Sequence, residues 1–216
     1  MITTELQRPR LADQVYERLV GAVVSGALPS GSPLNVGDLA RELHVSPSPI
    51  RDALQRMASE GLVTSNTNRR TTVRLFSRRE VEEMLRVREL LEVGAARLAA
   101  TRVTPKELKE MRSAAERCAQ LFGDPAKKRQ MLELDGQFHR KVAEASGNQT
   151  LADEITRCHR QVQVMQCVLL DPAKMKTGYS EHLEIVEALA SRDPDQAEKA
   201  MRGHVKQALA LMGMAD

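Results

Sequence analysis

Apolar residues recur along this chain at three- and four-residue spacing almost throughout, and only one short stretch changes to alternation. Leu11–Ser25 predicts a helix with Val15, Leu19, Ala22 and Val23 on its buried side, closed by Gly26. Val36–Leu43 predicts a second, carrying Leu39, Ala40 and Leu43. Three connecting residues lead to Ser46 and Pro47, residue types that open helices. In the helix that follows, Ile50, Ala53, Leu54 and Met57 share one face, and Ser48, Arg51, Asp52 and Gln55 the other, as far as Gly61. The alternation comes next. Leu62-Val63 starts a strand-like run, Asn66–Arg70 is a polar loop holding Arg69 and Arg70, and Thr71–Leu75 reads as a returning strand. Two short helices across a tight turn can be an ordinary solvated hairpin. Followed by a basic-tipped β-hairpin, they read as a winged helix-turn-helix, with Arg-bearing surfaces offered to DNA.

Past a polar linker at Arg74–Arg79 the pattern stays helical to the end. Ser77-x-x-Glu80 and Thr104-Pro105-Lys106-Glu107 open two helices, the second running to near Gly123. Others are expected over Ala126–Ser146, Gln149–Leu170 and Tyr179–Ala190, and from Asp193-Pro194 to about Met212. The predicted fold is mainly α: a tail over 1–9, a winged helix-turn-helix over 10–76, and a six-helix antiparallel bundle over 77–216.

Composition narrows this picture little. Aromatic content is 2% with no Trp, so the core must be built from Leu, Val, Ala, Ile and ten Met. A net charge of +3 is too small for DNA binding by a bulk field, so such binding depends on placed arginines. Cys118, Cys158 and Cys167 lie in helical segments without C-x-x-C spacing and read as reduced thiols. No apolar run approaches the ~18 residues of a membrane span, and no basic-then-apolar leader opens the chain; a cytoplasmic location is expected.

Four polar residues interrupt the apolar stripes of the bundle. Asp135 and His139 lie one turn apart among Met131, Leu132, Val142 and Ala143. His182 shares a stripe with Ile185, Val186 and Leu189, and His204 with Ala197, Met201, Ala208 and Leu211. Any one of these imidazoles alone reads as a core histidine with a partner. One carboxylate and three imidazoles directed inward from three helices are costly unless they satisfy one another or share a cation. A divalent metal is the economical solution; Zn suits this donor set best, with Ni, Mn or Fe open. His44, in the tight turn, and His159, beside Arg157 and Arg160, read as surface or structural residues.

Leu39-Ala40-Arg41, Val45-Ser46, Pro49-Ile50-Arg51-Asp52-Ala53-Leu54 and Glu60-Gly61-Leu62 together resemble the signature of GntR-type transcription regulators. Pro47, Val36-Gly37 and Arg70 depart from the commoner residues of that pattern, which leaves the fold intact and bears on operator preference. Asp135-x-x-x-His139, His182 and His204, with Val87-Arg88-x-x-x-Glu92 and Ser146-Gly147-Asn148, resemble the FCD effector domain of the FadR branch, and six helices resemble its VanR-type subgroup. The resemblance implies a metal on Asp135, His139, His182 and His204 and a small carboxylate effector beside it. Arg88 is the candidate second clamp, or a salt-bridge partner of Glu92; Asn148 is a candidate effector contact, or a helix cap. It further implies a homodimeric repressor of genes for a small organic acid, reading a palindromic operator through Arg41, Ser46, Ser48 and Arg51, with Arg69 and Arg70 on the backbone or minor groove. Two alternatives stay open: a metal sensor without organic effector, and a helical-bundle metallohydrolase. The latter lacks an H-E-x-x-H base and leaves the DNA-reading unit unexplained.

Overall fold

A computed structural model describes residues 11–65, 70–121, 124–169 and 178–211. The chain divides into two compact units, Met1–Leu75 and Phe76–Asp216.

In the first unit the elements run α1 (Leu11–Val24), β1 (Pro33–Leu34), α2 (Val36–Glu42), α3 (Pro47–Ser59), β2 (Val63–Ser65) and β3 (Thr71–Val73). Local chemistry sets the helix ends. Asn35 caps α2 by accepting the Gly37 and Asp38 N–H groups, and Pro47 occupies the first turn of α3 after the N-cap Ser46. Gly61 follows α3 at φ +72, the left-handed conformation that lets the chain leave the helix and enter β2. Tyr16 and Leu19 of α1 bury against Ile50, Ala53 and Met57 of α3, and Leu62 closes the same core. The strands form an antiparallel sheet in the order β1-β3-β2, with Val63 opposite Val73 and Leu34 opposite Thr71. β1 adds a third strand to the expected hairpin. Two residues are too few to display alternation, so nothing in the pattern announced it.

The second unit contains, among the described residues, six α-helices: α4 (Arg78–Ala100), α5 (Pro105–Ala119), α6 (Lys128–Ala145), α7 (Gln149–Leu169), α8 (Gly178–Ala190) and α9 (Pro194–Leu211). A 3₁₀ turn, Pro125–Lys127, leads into α6. Both expected capping boxes form, Ser77 with Glu80 and Thr104 with Glu107. α5 ends at Ala119, short of Gly123, as its last turn tightens into a Leu121 N–H to Cys118 carbonyl bond. α4 packs on α9, α7 and α6, while α5 lies against α6 and α8. Ala96, Ala99 and Ala100 let the helices approach closely around Met111, Phe138, Ile185, Leu189 and Met201. Cys118 and Cys158 are free and buried, and burial pushes the Cys158 thiol up to about 11, so both act as small hydrophobes. Among the described residues no helix is long and apolar enough to cross a membrane.

One side of α4 remains apolar and uncovered: Val87, Leu90 and Leu98 are 46, 76 and 38% exposed, and Gly94 in the same stripe faces open space. Thr104→Ala removes the hydroxyl that accepts the Glu107 N–H. It is expected to lower unfolding free energy by about 1 kcal/mol, read as a reduced urea midpoint with unchanged slope.

Candidate metal centre

Helical spacing puts Asp135 and His139 on one face of α6, and α8 and α9 bring His182 and His204 to them. One donor atom from each of the four lies within 4.8 Å of all the others. His204 Nε2 is 3.1 Å from His139 Nε2, and Asp135 Oδ1 is 3.3 Å from His182 Nε2 and 3.8 Å from His139 Nε2. All three imidazoles are buried. Asp135 Oδ2 and both ring nitrogens of His182 are buried without a hydrogen-bond partner. Buried polar atoms are rarely left so, and this cluster is a set of donors still lacking what would satisfy them.

Two carboxylates orient the rings from outside. Glu181 Oε2 lies 2.9 Å from His204 Nδ1, and Glu92 Oε2 lies 2.8 Å from His139 Nδ1, off the hydrogen-bond axis. With both carboxylates ionised, the Nδ1 atoms carry the protons and the Nε2 lone pairs converge, as in carboxylate-histidine-metal arrangements. Two Nε2 lone pairs 3.1 Å apart call for a cation or a proton; without an ion, the Nε2–H tautomer of one ring donates to the other. Burial, with Arg88 and other imidazoles adding to it, holds His139 well below the usual histidine range. Burial and the neighbouring His182 push His204 down to about 3. Burial raises the Asp135 carboxyl, but the approach of His182 and of the surrounding imidazoles holds it well below the usual carboxylate range. The residues therefore fit a divalent cation: a carboxylate held ionised beside three imidazoles, of which burial keeps His139 and His204 neutral. Glu181 and His204 also line an open groove of about 1230 Å³ between α8 and α9, which gives an ion a route inward.

The other expected residues fall differently. Arg88 is buried and forked onto Glu92 at 2.8 and 3.4 Å, with Nη2 3.0 Å from His139 Nε2. Glu92 thus matches its charge, the salt bridge that stood as the alternative to the expected carboxylate clamp. Asn148 is exposed at the start of α7, where its side-chain oxygen accepts the Leu151 N–H as a cap does. Burial removes the first of the two readings, surface and structural, open for His159. It is only 3% exposed, its ring centroid lies 4.5 Å from that of His139, and its Nε2 is 3.4 Å from Glu92 Oε1. The flanking Arg157 and Arg160 suggested an exposed segment, but 159 lies on the helix face that also carries the buried Val162 and Gln163. Glu181, missed in the sequence, was marked only by standing next to His182.

In the first unit, Arg41, Ser46, Ser48, Arg51 and Arg70 are exposed, and Arg69 lies outside the described residues. Ser46 makes no capping bond, so its hydroxyl stays available at the start of α3. Arg41 pairs with Asp38 on the exposed surface of α2. His44 is exposed in the turn at φ +54, as a surface reading requires.

Residues 11–73 match the bacterial regulatory proteins of the gntR family, and residues 83–207 match the FCD domain. The chain belongs to the GntR family of transcription regulators, with an FCD domain. Similar proteins include the probable D-xylose utilization operon transcriptional repressor of Paenarthrobacter nicotinovorans, 29% identical over 93% of this chain and 88% of that one. The HTH-type transcriptional repressor RspR of Escherichia coli K12 is 28% identical over 90% of this chain and 85% of its own length. Escherichia coli McbR/YncC shares the fold at TM-score 0.84 and 23% identity, covering 95% of this chain and 98% of that chain. This GntR regulator is thus a DNA-binding transcription regulator and not an enzyme, with an effector domain of a kind that commonly binds metal. The hydrolase alternative is thereby set aside.

Burial of neutral imidazoles has a pH signature. His139, His159 and His204 stay uncharged in the fold but take up protons near 6.5 once unfolded. Glu181, pushed by burial up to about 7, opposes this by holding a proton in the fold. Three imidazoles outweigh one carboxyl, so unfolding of the metal-free protein at pH 5 takes up protons and stability falls as pH drops from 6.5 toward 4. The slope of denaturation free energy against pH measures it.

Proposed function

We propose that this GntR regulator holds a divalent cation on Asp135, His139, His182 and His204 and binds a small carboxylate effector beside it. The observation carrying this is the convergence of one carboxylate and three imidazoles on a buried point where several donor atoms have no partner. Zn is the first expectation for this donor set, with Ni, Mn or Fe as further candidates. When bound, the ion supplies positive charge for an anionic ligand. The protein residues fix its donors, Glu92 and Glu181 orienting two of the imidazoles. The lone pair on His139 Nε2 cannot serve both the ion and Arg88, so ion binding is linked to how Arg88 is held.

On the DNA side, Ser46, Ser48 and Arg51 at the exposed start of α3, with Arg41 on α2, contact bases and phosphates, and Arg69 and Arg70 hold the backbone or minor groove. The protein acts in the cytoplasm as a homodimer on a palindromic operator. The uncovered α4 stripe of Val87, Leu90 and Leu98 supports the dimer, since a second copy related by a two-fold axis can cover it with the same stripe. Two relatives described as repressors support repression as the mode of control. Effector binding alters operator affinity by linkage, and a coupling of ~1–3 kcal/mol changes it about 5–150-fold.

Protein purified without chelator is expected to carry about one divalent ion per chain, measured by elemental analysis. His139→Ala and His182→Ala should each lose it; a metal-free wild type that cannot be reloaded refutes the site. Arg51→Ala is expected to weaken operator binding by about 1–3 kcal/mol, measured by fluorescence anisotropy at fixed salt, with metal content unchanged.

A further inference from the structure

Pro47 and Pro49 occupy the first and third positions of α3, so two of the four backbone N–H groups that a helix start leaves open are absent. Anion binding at a helix N-terminus uses those groups, and α3 is correspondingly poor at holding a phosphate there. The two prolines are placed differently. Pro49 is buried in the core of the N-terminal unit, whereas Pro47 is exposed between the exposed Ser46 and Ser48. Pro47 sets the helix start through its fixed φ. That role uses the backbone and leaves the ring methylenes at the surface without employment.

In a helix-turn-helix the N-terminal residues of the second helix meet base edges in the major groove. Arg51, exposed one turn further on, carries a guanidinium fork that fits guanine O6 and N7. The hydroxyls of Ser46 and Ser48 both donate and accept, so they suit any base pair. Pro47 has neither a donor nor an acceptor on its side chain. The apolar group that a base pair presents in the major groove is the thymine 5-methyl. Another base sets donors or acceptors against the ring, which cannot replace the water they lose. Ser46 and Ser48 are short, so neither holds the ring away from the groove floor.

We infer that Pro47 is a specificity-determining residue whose ring packs on a thymine 5-methyl in the major groove, so that the operator carries a T·A pair at that place. This rests on the α3 contacts proposed above. Four residues of helix rise span ~6 Å, so the thymine lies within about two base pairs of the position read by Arg51. The full-length protein first selects its operator from a random duplex library. Fluorescence anisotropy at fixed salt then compares that operator with copies in which single thymines are replaced by deoxyuridine, which removes only the methyl group. One replacement, within about two base pairs of the position whose preference Arg51→Ala abolishes, is expected to weaken binding about fourfold or more. Pro47→Ser removes the ring and is expected to bind the thymine and deoxyuridine forms equally. Pro47→Arg, carried through a new selection, is expected to exchange that thymine for guanine and to keep the Arg51 position. No methyl effect near that position, a methyl effect that persists in Pro47→Ser, or an unchanged selected operator in Pro47→Arg each overturns the inference. A wild type that selects no operator, or one indifferent to Arg51→Ala, refutes the α3 contact set and this inference with it. An operator that depends on Arg51 but not on the methyl refutes the role of Pro47 alone.

Discussion

Water is excluded from the centre of the C-terminal bundle, yet Arg88, Glu92, Asp135 and four imidazoles meet there. Each charged group must find its opposite within a few ångströms, because solvent cannot screen it. Arg88 and Glu92 satisfy that requirement by forking onto each other one helical turn apart on α4. Asp135 is held by the imidazoles around it, of which burial keeps His139 and His204 below the usual histidine range. A carboxylate with one buried oxygen unpartnered is an incomplete ion pair. The cation proposed for this site supplies the missing half, and its neighbours on α4, α6, α7, α8 and α9 are arranged around that deficit.

The surrounding apolar packing gives this centre its leverage. Ala96, Ala99, Ala100 and Ala115 bring helices close together, so polar side chains from different helices come within contact distance without long loops. Phe138, next to His139 in sequence, packs edge-on to it and lies 4.3 Å from the His182 ring by centroid distance. The ring positions are thus set partly by apolar contact, before any ligand enters. Removing an imidazole changes charge balance and packing together, so metal content is a more direct readout of the site than stability.

Much of this was legible in the chain because the signals are local. Caps at Ser77 and Thr104, the turn before Pro47 and the glycine at 61 each act within one helical turn. Asp135, His139, His182 and His204 stood out because each breaks an apolar stripe, and a stripe faces inward whatever lies opposite. What a stripe cannot reveal is the group across from it. That Glu92 turns its carboxylate to His139, and that His159 lies beside both, depends on how α4, α6 and α7 pack. Arg157 and Arg160 made the segment around 159 look solvated, although only Arg157 is exposed and Arg160 is half-buried. β1 escaped notice for a different reason: its two residues are a strand only because β3 lies beside them.

On the proposed reading a response to an effector runs through helix α4, which carries the inward Arg88 and Glu92 on one side and the uncovered Val87, Leu90 and Leu98 on the other. It also begins at Arg78, capped by Ser77, just after the N-terminal unit ends at Leu75. A helix is stiff along its length, so the pull on Arg88 at its core side and the packing of Leu90 at its outer side cannot be set independently. On the proposed reading the core side responds to cation and effector, and the outer side meets the second subunit. Any ligand that changes how Arg88 is shared between Glu92 and His139 then acts on the element that joins effector site, dimer contact and DNA-binding unit in the chain. Its influence on DNA affinity is bounded by how differently it binds the two arrangements of that element, which is the thermodynamic condition for any such coupling.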